Sequence, residues 1–170
     1  LSFAQGVEFE EKLGCRIVQG YGSVDCGGIS ATYWEDSLEV RLGTLGRPLD
    51  GNQVKVVDAQ GKELPKGEVG RLLVRGLHAD ARYYSNPDLN SKSRLDGYFD
   101  LQELGRMDER GNVILMGREK DVIIRGGQNI FPSDIEAALC QHPKILEASV
   151  VGAADPEMGE RVCAFVVCRE

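Results

Sequence analysis

The sequence predicts a mixed fold of the α/β (α+β) class, with a β-rich part at residues 1–116 and a small α+β part at residues 117–170. Runs of β-branched residues between turn formers fill the chain from Val40 to Gly76, which is typical of antiparallel strands. Beyond residue 117, strand and helix patterns alternate instead. A charged stretch at 117–121, without a proline-rich or serine-rich linker, predicts a short hinge between the parts.

The chain is predicted to open on a surface helix followed by a buried strand. Apolar residues recur among charged ones from residue 2 to Gly14, and a glycine commonly ends a helix. Residues 15–19, centred on Ile17 and Val18, predict a strand that enters a glycine-bearing loop. Because such a loop lets backbone approach a ligand closely, we expect a binding role there.

Two hairpins are predicted in the rest of the first part. The β-branched runs 54–57 and 69–74 flank a polar stretch rich in turn formers. The segment 108–111 ends in a glycine, which can supply a positive φ, and precedes the apolar run 113–116. Together these patterns predict a small β-rich, barrel-like subdomain.

The second part is predicted to contain a strand at 122–124, a loop at 125–129 and a helix that starts near residue 132. Ser133 and Glu136 have the spacing of a capping box. The stretch 141–143, which contains a proline, should stop that helix. Two further strands are predicted, at residues 145–151 and 162–167.

Composition excludes several classes of function. A net charge of -7 and a pI near 5.0 give no general attraction to nucleic acid or to an anionic membrane surface. No apolar run approaches the roughly 20 residues of a transmembrane helix, and residues 1–6 lack signal-peptide features. We therefore expect a cytoplasmic protein. The five cysteines are scattered and contain no Cys-x-x-Cys pair, so we expect reduced, packed thiols and neither a disulfide frame nor a zinc site.

Residues 20–25 combine chemistry that suits a nucleotide. Tyr21 could stack on a purine, and Gly22 could admit backbone next to a phosphate. Ser23 could donate a hydrogen bond, and the Asp25 carboxylate could hold Mg²⁺. The alternative is an ordinary turn with a surface acid, and this motif alone does not separate the two.

The stretch GREKDVIIRGGQNIFPSDIE at residues 117–136 closely resembles the signature of the adenylate-forming (AMP-binding) superfamily, of the acyl-CoA synthetase type. The resemblance extends to QGYGSVDCGG upstream, to GYFDLQELGRMDERGNV, and to HPKILEASVVGAADPEMGERVCAFVV downstream, so it covers nearly all of the chain. It implies the β-rich end of the large adenylate-forming domain followed by an incomplete small C-terminal domain.

In that family a carboxylic acid reacts with ATP to give an acyl-adenylate, and a thiol then displaces AMP after the small domain rotates. The resemblance therefore implies ATP, Mg²⁺ and CoA as ligands. It places Tyr21 at the adenine, Asp25 at the metal, Arg118 near the ribose and Asp121 at the hinge. It also implies that the thiol's tunnel is lined by Gly126 and Gly127.

Three departures from the family pattern concern the nucleotide. Val24 stands where the family usually has threonine, so one hydroxyl contact is missing. Asp25 stands where glutamate is more usual, which shortens the metal-binding side chain by one methylene. Leu101, Gln102 and Glu103 occupy the positions of a Thr-Gly-Asp motif, so Glu103 takes the place of the ribose-binding aspartate.

The chain has no phosphate loop ending in lysine and does not include the family's C-terminal catalytic lysine, so we expect it to be inactive alone. For the parent protein, three functions stay open: an acid:CoA ligase for fatty or aromatic acids, a domain that loads a carrier protein, and a non-catalytic relative. An exposed apolar face at residues 15–28 would favour either self-association, with a homodimer as one arrangement, or disorder at the N-terminal end.

Overall fold

The computed structural model describes residues 3–80 and 82–169, with only the backbone for His78. The chain divides into two compact units, residues 1–115 and 116–170. Each unit combines helices with antiparallel sheet, which confirms the predicted mixed α+β class. None of the helices in the described ranges is long and apolar enough to cross a membrane.

The first unit begins with helix α1 and a small three-stranded sheet. The predicted helix is confirmed, and it ends before Gly14, whose φ is 65°. The sheet has the order β1-β2-β3, and a short helix lies between β2 and β3. The bounds are α1 Phe3–Leu13, β1 Gly20–Ser23, β2 Gly27–Ala31, α2 Leu38–Gly43 and β3 Arg47–Pro48.

The predicted strand at residues 15–19 is wrong, because the first strand starts at Gly20. Side chains form hydrogen bonds with backbone groups of this segment that would otherwise pair with a neighbouring strand. The Arg41 guanidinium donates to the Ile17 carbonyl oxygen at 2.8 Å, and the Gln19 amide donates to the Thr32 hydroxyl at 2.7 Å. The segment is therefore an extended connection held by side chains.

The second sheet of the first unit carries both predicted hairpins, which are confirmed. Strands β4 and β5 pair antiparallel, and β8 pairs with β7 after a turn in which Gly111 has a φ of 82°. The order is β4-β5-β7-β6, with β8 on β7. The bounds are β4 Gln53–Val57, β5 Gly70–Arg75, α3 Pro87–Lys92, β6 Arg94–Leu95, β7 Tyr98–Met107 and β8 Val113–Arg118.

Two buried apolar clusters hold the first unit together. One joins the small sheet to the large one, and consists of Cys26, Ile29, Val74, Ala79 and Phe99. The other lies within the large sheet, and consists of Val56, Leu72 and Val113. Because the first cluster includes residues from both sheets, it fixes the β1–β2 hairpin against β7.

The second unit is a four-stranded antiparallel sheet of order β10-β9-β12-β11 with one helix packed on β11. The predicted helix and the two predicted C-terminal strands are confirmed, and both strands are longer than expected. The predicted strand at 122–124 is shifted by one residue. The bounds are β9 Ile123–Arg125, β10 Gln128–Ile130, α4 Pro132–Cys140, β11 Ile145–Asp155 and β12 Gly159–Cys168.

The predicted capping box on α4 is wrong, because both of its side chains bond elsewhere. The Ser133 hydroxyl donates to the carbonyl oxygen of Met116 at 3.1 Å. The Glu136 carboxylate accepts the amide of Val150 on β11 at 2.8 Å. Phe131, at the N-cap, makes no side-chain hydrogen bond to the helix. These side chains therefore tie the helix to the rest of its own unit instead of capping it.

The expectation of packed thiols holds only in part. Cys26 is buried and Cys163 is half-buried, whereas the thiols of Cys15, Cys140 and Cys168 are exposed. The predicted apolar face at residues 15–28 is mixed: two valines in that range are exposed, but Cys26 is only 2% exposed.

Candidate functional site

The candidate nucleotide loop is the hairpin formed by β1 and β2. Tyr21, Gly22 and Ser23 lie on β1, and Val24 begins the turn. Gly22 pairs with Gly28 across a bulge in the register. A Cβ at Gly22 would lie 2.4 Å from the carbonyl oxygen of Gly27, which is closer than Cβ atoms come to other heavy atoms in real proteins. Strand pairing itself therefore requires glycine at this position.

The Ser23 hydroxyl is engaged inside the hairpin. Its oxygen lies 3.0 Å from the Cys26 sulfur and accepts the Cys26 amide at 3.3 Å. Burial raises the pKa of the Cys26 thiol, so the sulfur stays protonated near neutral pH. Cys26 thereby fixes the position of the Ser23 side chain at the turn.

Tyr21 and Glu103, predicted for the adenine and the ribose, lie together. The Tyr21 hydroxyl donates a hydrogen bond to a carboxylate oxygen of Glu103. The Tyr21 ring also packs against the buried cluster that contains Cys26 and Phe99. Burial, reinforced by the bond to Glu103, raises the pKa of Tyr21 far above its ordinary value. The phenol is therefore a neutral donor at every physiological pH.

A bulge on β7 places Glu103. Arg71 pairs with Leu104 and Leu73 with Asp100, so three residues of β7 stand opposite one residue of β5. Gln102, in the middle, has a φ of 55°, and its amide donates to the Asp100 carboxylate at 2.9 Å. Arg71 holds that carboxylate from the other side at 2.7 Å. Sequence reasoning missed Arg71 and Asp100. The signal was a glutamine at a position where the family has glycine.

Asp25, the predicted metal residue, is exposed at the turn. Burial, followed by a hydrogen bond with Asp25, raises the pKa of Tyr83, so the two side chains are neighbours. They line a cleft of about 160 Å³ together with Val24, Arg82 and Phe99. Val24 is fully exposed and carries no hydroxyl.

Asp25 can serve as one Mg²⁺ ligand among several. The described residues contain no group of three or more His, Cys, Asp or Glu side chains that could hold a metal. Mg²⁺ commonly binds through one or two carboxylates together with substrate phosphates and waters. Asp25 can therefore supply a single carboxylate to a metal that arrives with a phosphate ligand.

Arg118 and Asp121 lie in the second unit. The boundary between the units falls within β8, and Arg118 is the last residue of that strand. Asp121 ends the short 3₁₀ turn Glu119–Asp121. Both side chains are exposed, and both line a cleft of about 540 Å³. Two carboxylates in this cleft are already occupied by backbone amides: Glu136 accepts from Val150, and Glu160 accepts from Ile124.

Gly126 and Gly127, predicted for the CoA tunnel, form the two-residue turn between β9 and β10. Their φ angles are 56° and 82°, a conformation that glycine adopts without strain. The Gly126 amide donates to the Met158 carbonyl oxygen at 2.9 Å. A Cβ on Gly126 would lie 2.5 Å from the Met158 methyl carbon. The turn alone accounts for both glycines, and a tunnel role stays a prediction.

Comparison with known proteins matches two family models, "AMP-binding enzyme" over residues 4–84 and "AMP-binding enzyme C-terminal domain" over residues 134–170. The sulfoacetate–CoA ligase of Cupriavidus necator is 36% identical over 95% of the chain, which covers 32% of that protein. The pyochelin synthase PchD of Pseudomonas aeruginosa is 41% identical over 99% of the chain, which covers 31% of that protein.

The fold matches as well. The crystal structure of ATP-bound MatB from Rhodopseudomonas palustris superposes with a TM-score of 0.93 at 32% identity, over 99% of this chain and 34% of that one. The chain thus spans about a third of the length of the relatives it matches. The two family models match in chain order, the relatives are similar in sequence over nearly the whole chain, and the fold is shared. The chain therefore belongs to the adenylate-forming family of AMP-binding enzymes.

Proposed function

We propose that the chain is part of an ATP-dependent acid:CoA ligase, which forms an acyl-adenylate from a carboxylic acid and passes the acyl group to CoA. One observation carries the nucleotide half of this proposal. Tyr21 and Glu103, which match the family's adenine and ribose positions, are joined by a hydrogen bond although they are 82 residues apart. The CoA half is supported by the similarity to a sulfoacetate–CoA ligase.

In this proposal the residues of the first unit bind ATP. The Tyr21 ring packs on adenine, Glu103 accepts from the ribose, and the Gly22–Ser23 backbone approaches the phosphates. Asp25 supplies one carboxylate to Mg²⁺, which would neutralise charge on the phosphates during transfer. Preorganised donors and a cation suit a reaction that develops charge on phosphate oxygens.

The residues of the second unit act in the thiol step. Arg118 contacts the ribose, and Asp121 is the hinge about which the small domain turns between the two half-reactions. A hinge of a few residues can absorb a large change of φ and ψ. Gly126 and Gly127 line the path of the CoA thiol, in addition to forming their turn.

A second candidate is an adenylating domain that loads a carrier protein. It is favoured by the 41% identity to a pyochelin synthase, which exceeds the 36% identity to the CoA ligase. A third candidate is a non-catalytic relative, in which Val24, Leu101 and Glu103 mark a lost ATP site. The acyl acceptor, either CoA or a carrier protein, distinguishes the first two candidates. Binding of ATP distinguishes both from the non-catalytic relative.

The test is pyrophosphate release from ATP by the complete protein, with a panel of fatty and aromatic acids, with and without CoA. A ligase releases pyrophosphate only with its acid and turns over only with CoA. Turnover only with a loaded carrier protein supports the second candidate, and no ATP binding supports the third. The isolated chain should be inactive in every case.

The role of Asp25 is tested in the same assay. Asp25→Asn should lower pyrophosphate release roughly tenfold or more at limiting Mg²⁺, since a charged ligand is lost. Asp50→Asn, a change in an exposed turn of the same unit, is the matched control and should leave release unchanged. An unchanged rate for Asp25→Asn would remove Asp25 from the proposed metal site.

A further inference from the structure

The residue proposed for the ribose, Glu103, lies in the bulge of β7. Asp100 is the last residue of β7 that pairs with β5 before the bulge, and Leu104 is the first one after it. Residues 101–103 stand between them, opposite a single residue of β5. The Glu103 side chain is half-buried and accepts the Tyr21 hydroxyl. The direction of its carboxylate therefore depends on the conformation of the bulge and not on strand pairing.

The middle residue of the bulge, Gln102, has an unfavourable backbone conformation. Its φ of 55° is left-handed, which residues with a side chain disfavour. The Gln102 side chain is exposed, so packing does not hold it in place. Its backbone amide instead donates to Oδ1 of Asp100 at 2.9 Å. A hydrogen bond to a side chain thus fixes the conformation that precedes Glu103.

An ion pair spans the bulge from one end to the other. Arg71 stands opposite Leu104, the residue after the bulge, and its guanidinium donates to Oδ2 of Asp100, the residue before it, at 2.7 Å. The Asp100 side chain is 11% exposed and the Arg71 side chain 23% exposed, so water and salt screen the pair little. The Asp100 carboxylate therefore connects both ends of the bulge to its middle.

We infer that Arg71 and Asp100 are positioning residues of the nucleotide site: they hold the bulge in the conformation that directs the Glu103 carboxylate to the ribose. This inference rests on the proposed function, since it concerns how the same site holds its nucleotide. Neither residue needs to touch ATP, because a binding side chain keeps its geometry only when its supporting residues are fixed.

The readout is the ratio of the dissociation constants for 2′,3′-dideoxy-ATP and ATP, measured on the complete protein with Mg²⁺. The two nucleotides differ only in the ribose hydroxyls. In the original protein the ratio should be roughly ten or more, because hydrogen bonds to a charged group are lost. Arg118, also proposed at the ribose, is unchanged in every variant, so a change in the ratio reports on Glu103. A pair that only stabilised the fold would change the free energy of unfolding and not this ratio.

Three variants alter the ion pair. Arg71→Met removes the charge that spans the bulge, and the ratio should fall at least about threefold. Arg71→Met combined with Asp100→Ala also removes the acceptor of the Gln102 amide without leaving an unpaired buried charge, and the ratio should fall to within about twofold of one. Arg71→Lys keeps a cation for the single contact with Asp100 and should restore most of the ratio.

Arg75→Met is the matched control, because it makes the same change on the same strand. The Arg75 guanidinium donates to Gln53 at 2.6 Å, and the variant should keep the original ratio. An unchanged ratio in Arg71→Met and in the combined variant, with ATP still bound, would overturn the inference and leave the proposed function standing. A ratio near one in the original protein would have the same meaning. Absence of ATP binding in the original protein would overturn the proposed function and this inference with it.

A measurement without nucleotide tests whether the ion pair directs Glu103. In a double-mutant cycle of Tyr21→Phe and Glu103→Ala, the unfolding constant should deviate from additivity by at least about threefold, since the two side chains are hydrogen-bonded. The same cycle in the Arg71→Met background should give a deviation at least about twofold smaller. Deviations of equal size in both backgrounds would overturn the inference, whatever the nucleotide data.

Discussion

Replacing Gly22 by alanine tests whether strand pairing, and not only ligand access, requires glycine at this position. The added Cβ would lie 2.4 Å from the carbonyl oxygen of Gly27, and 3.1 Å from the Gly28 Cα. An ordinary carbon–oxygen contact is about 3.3 Å, so the two strands must separate by roughly 0.9 Å. Both obstacles are backbone atoms, which cannot rotate away. Overpacking of this kind costs about 1–3 kcal/mol.

Gly20→Ala is the matched control, because it lies on the same strand and has nothing within 4 Å of its Cβ. Neither glycine has a positive φ, so the two variants differ in packing alone. The control should be neutral, or stabilise by about 0.4–1 kcal/mol through the unfolded chain. Urea unfolding followed by the fluorescence of Trp34, the only tryptophan, reports on the first unit. Equal free energies of unfolding for the two variants would refute the packing argument.

Three further predictions concern strain and charge. Gln102→Gly should raise the free energy of unfolding by about 1 kcal/mol, because a left-handed φ of 55° disfavours residues that carry a side chain. Gln102→Ala should leave the free energy of unfolding within about 0.5 kcal/mol of the original value. Urea titration of both variants checks this. The hydrogen bond from Arg41 lowers the pKa of Glu10, so its stabilisation is present above the ordinary value of 4.5 and is lost as the pH falls further. Glu10→Gln should therefore flatten the decline of thermal stability on acidification, and a parallel decline in both proteins would contradict this. The pKa of Tyr21 is raised, so its stabilisation is complete below the ordinary value of 10.0 and is lost above it. In Tyr21→Phe, denaturation profiles at alkaline pH should decline less steeply, and identical slopes would argue against the buried phenol.

The hairpins could be predicted from the sequence because their turn chemistry is local. Gly111, for example, follows a short polar run and adopts the positive φ that the turn needs. The same logic would have found the turn between β6 and β7. There Asp96 and Gly97 both have positive φ angles, of 51° and 80°, and Asp-Gly is a strong hairpin signal.

The errors arose where distant side chains decide the local structure. Residues 15–19 resemble a strand by composition, but Arg41 and Thr32 bind their backbone, from 24 and 13 residues away. The spacing of Ser133 and Glu136 fits a capping box, yet Glu136 accepts from a strand 14 residues further on. No local pattern contains that information.

The candidate site was predictable as a set of residues but not as a set of contacts. The resemblance placed Tyr21 and Glu103 at one nucleotide, but their direct bond depends on a bulge that places three residues opposite one. The supporting ion pair between Arg71 and Asp100 also spans two strands, and the stretches that carry the resemblance include Asp100 but not Arg71.

Each unit contains a cysteine that is buried or half-buried and another that is exposed, so the reactivity of its thiols can report local opening of the structure. In the first unit, buried Cys26 should react with an alkylating reagent only when the hairpin opens, while exposed Cys15 supplies an internal reference. In the second unit, half-buried Cys163 can be compared with exposed Cys140 in the same way. Pulsed alkylation read by peptide mass would thus follow the two units separately in one sample, without any added probe.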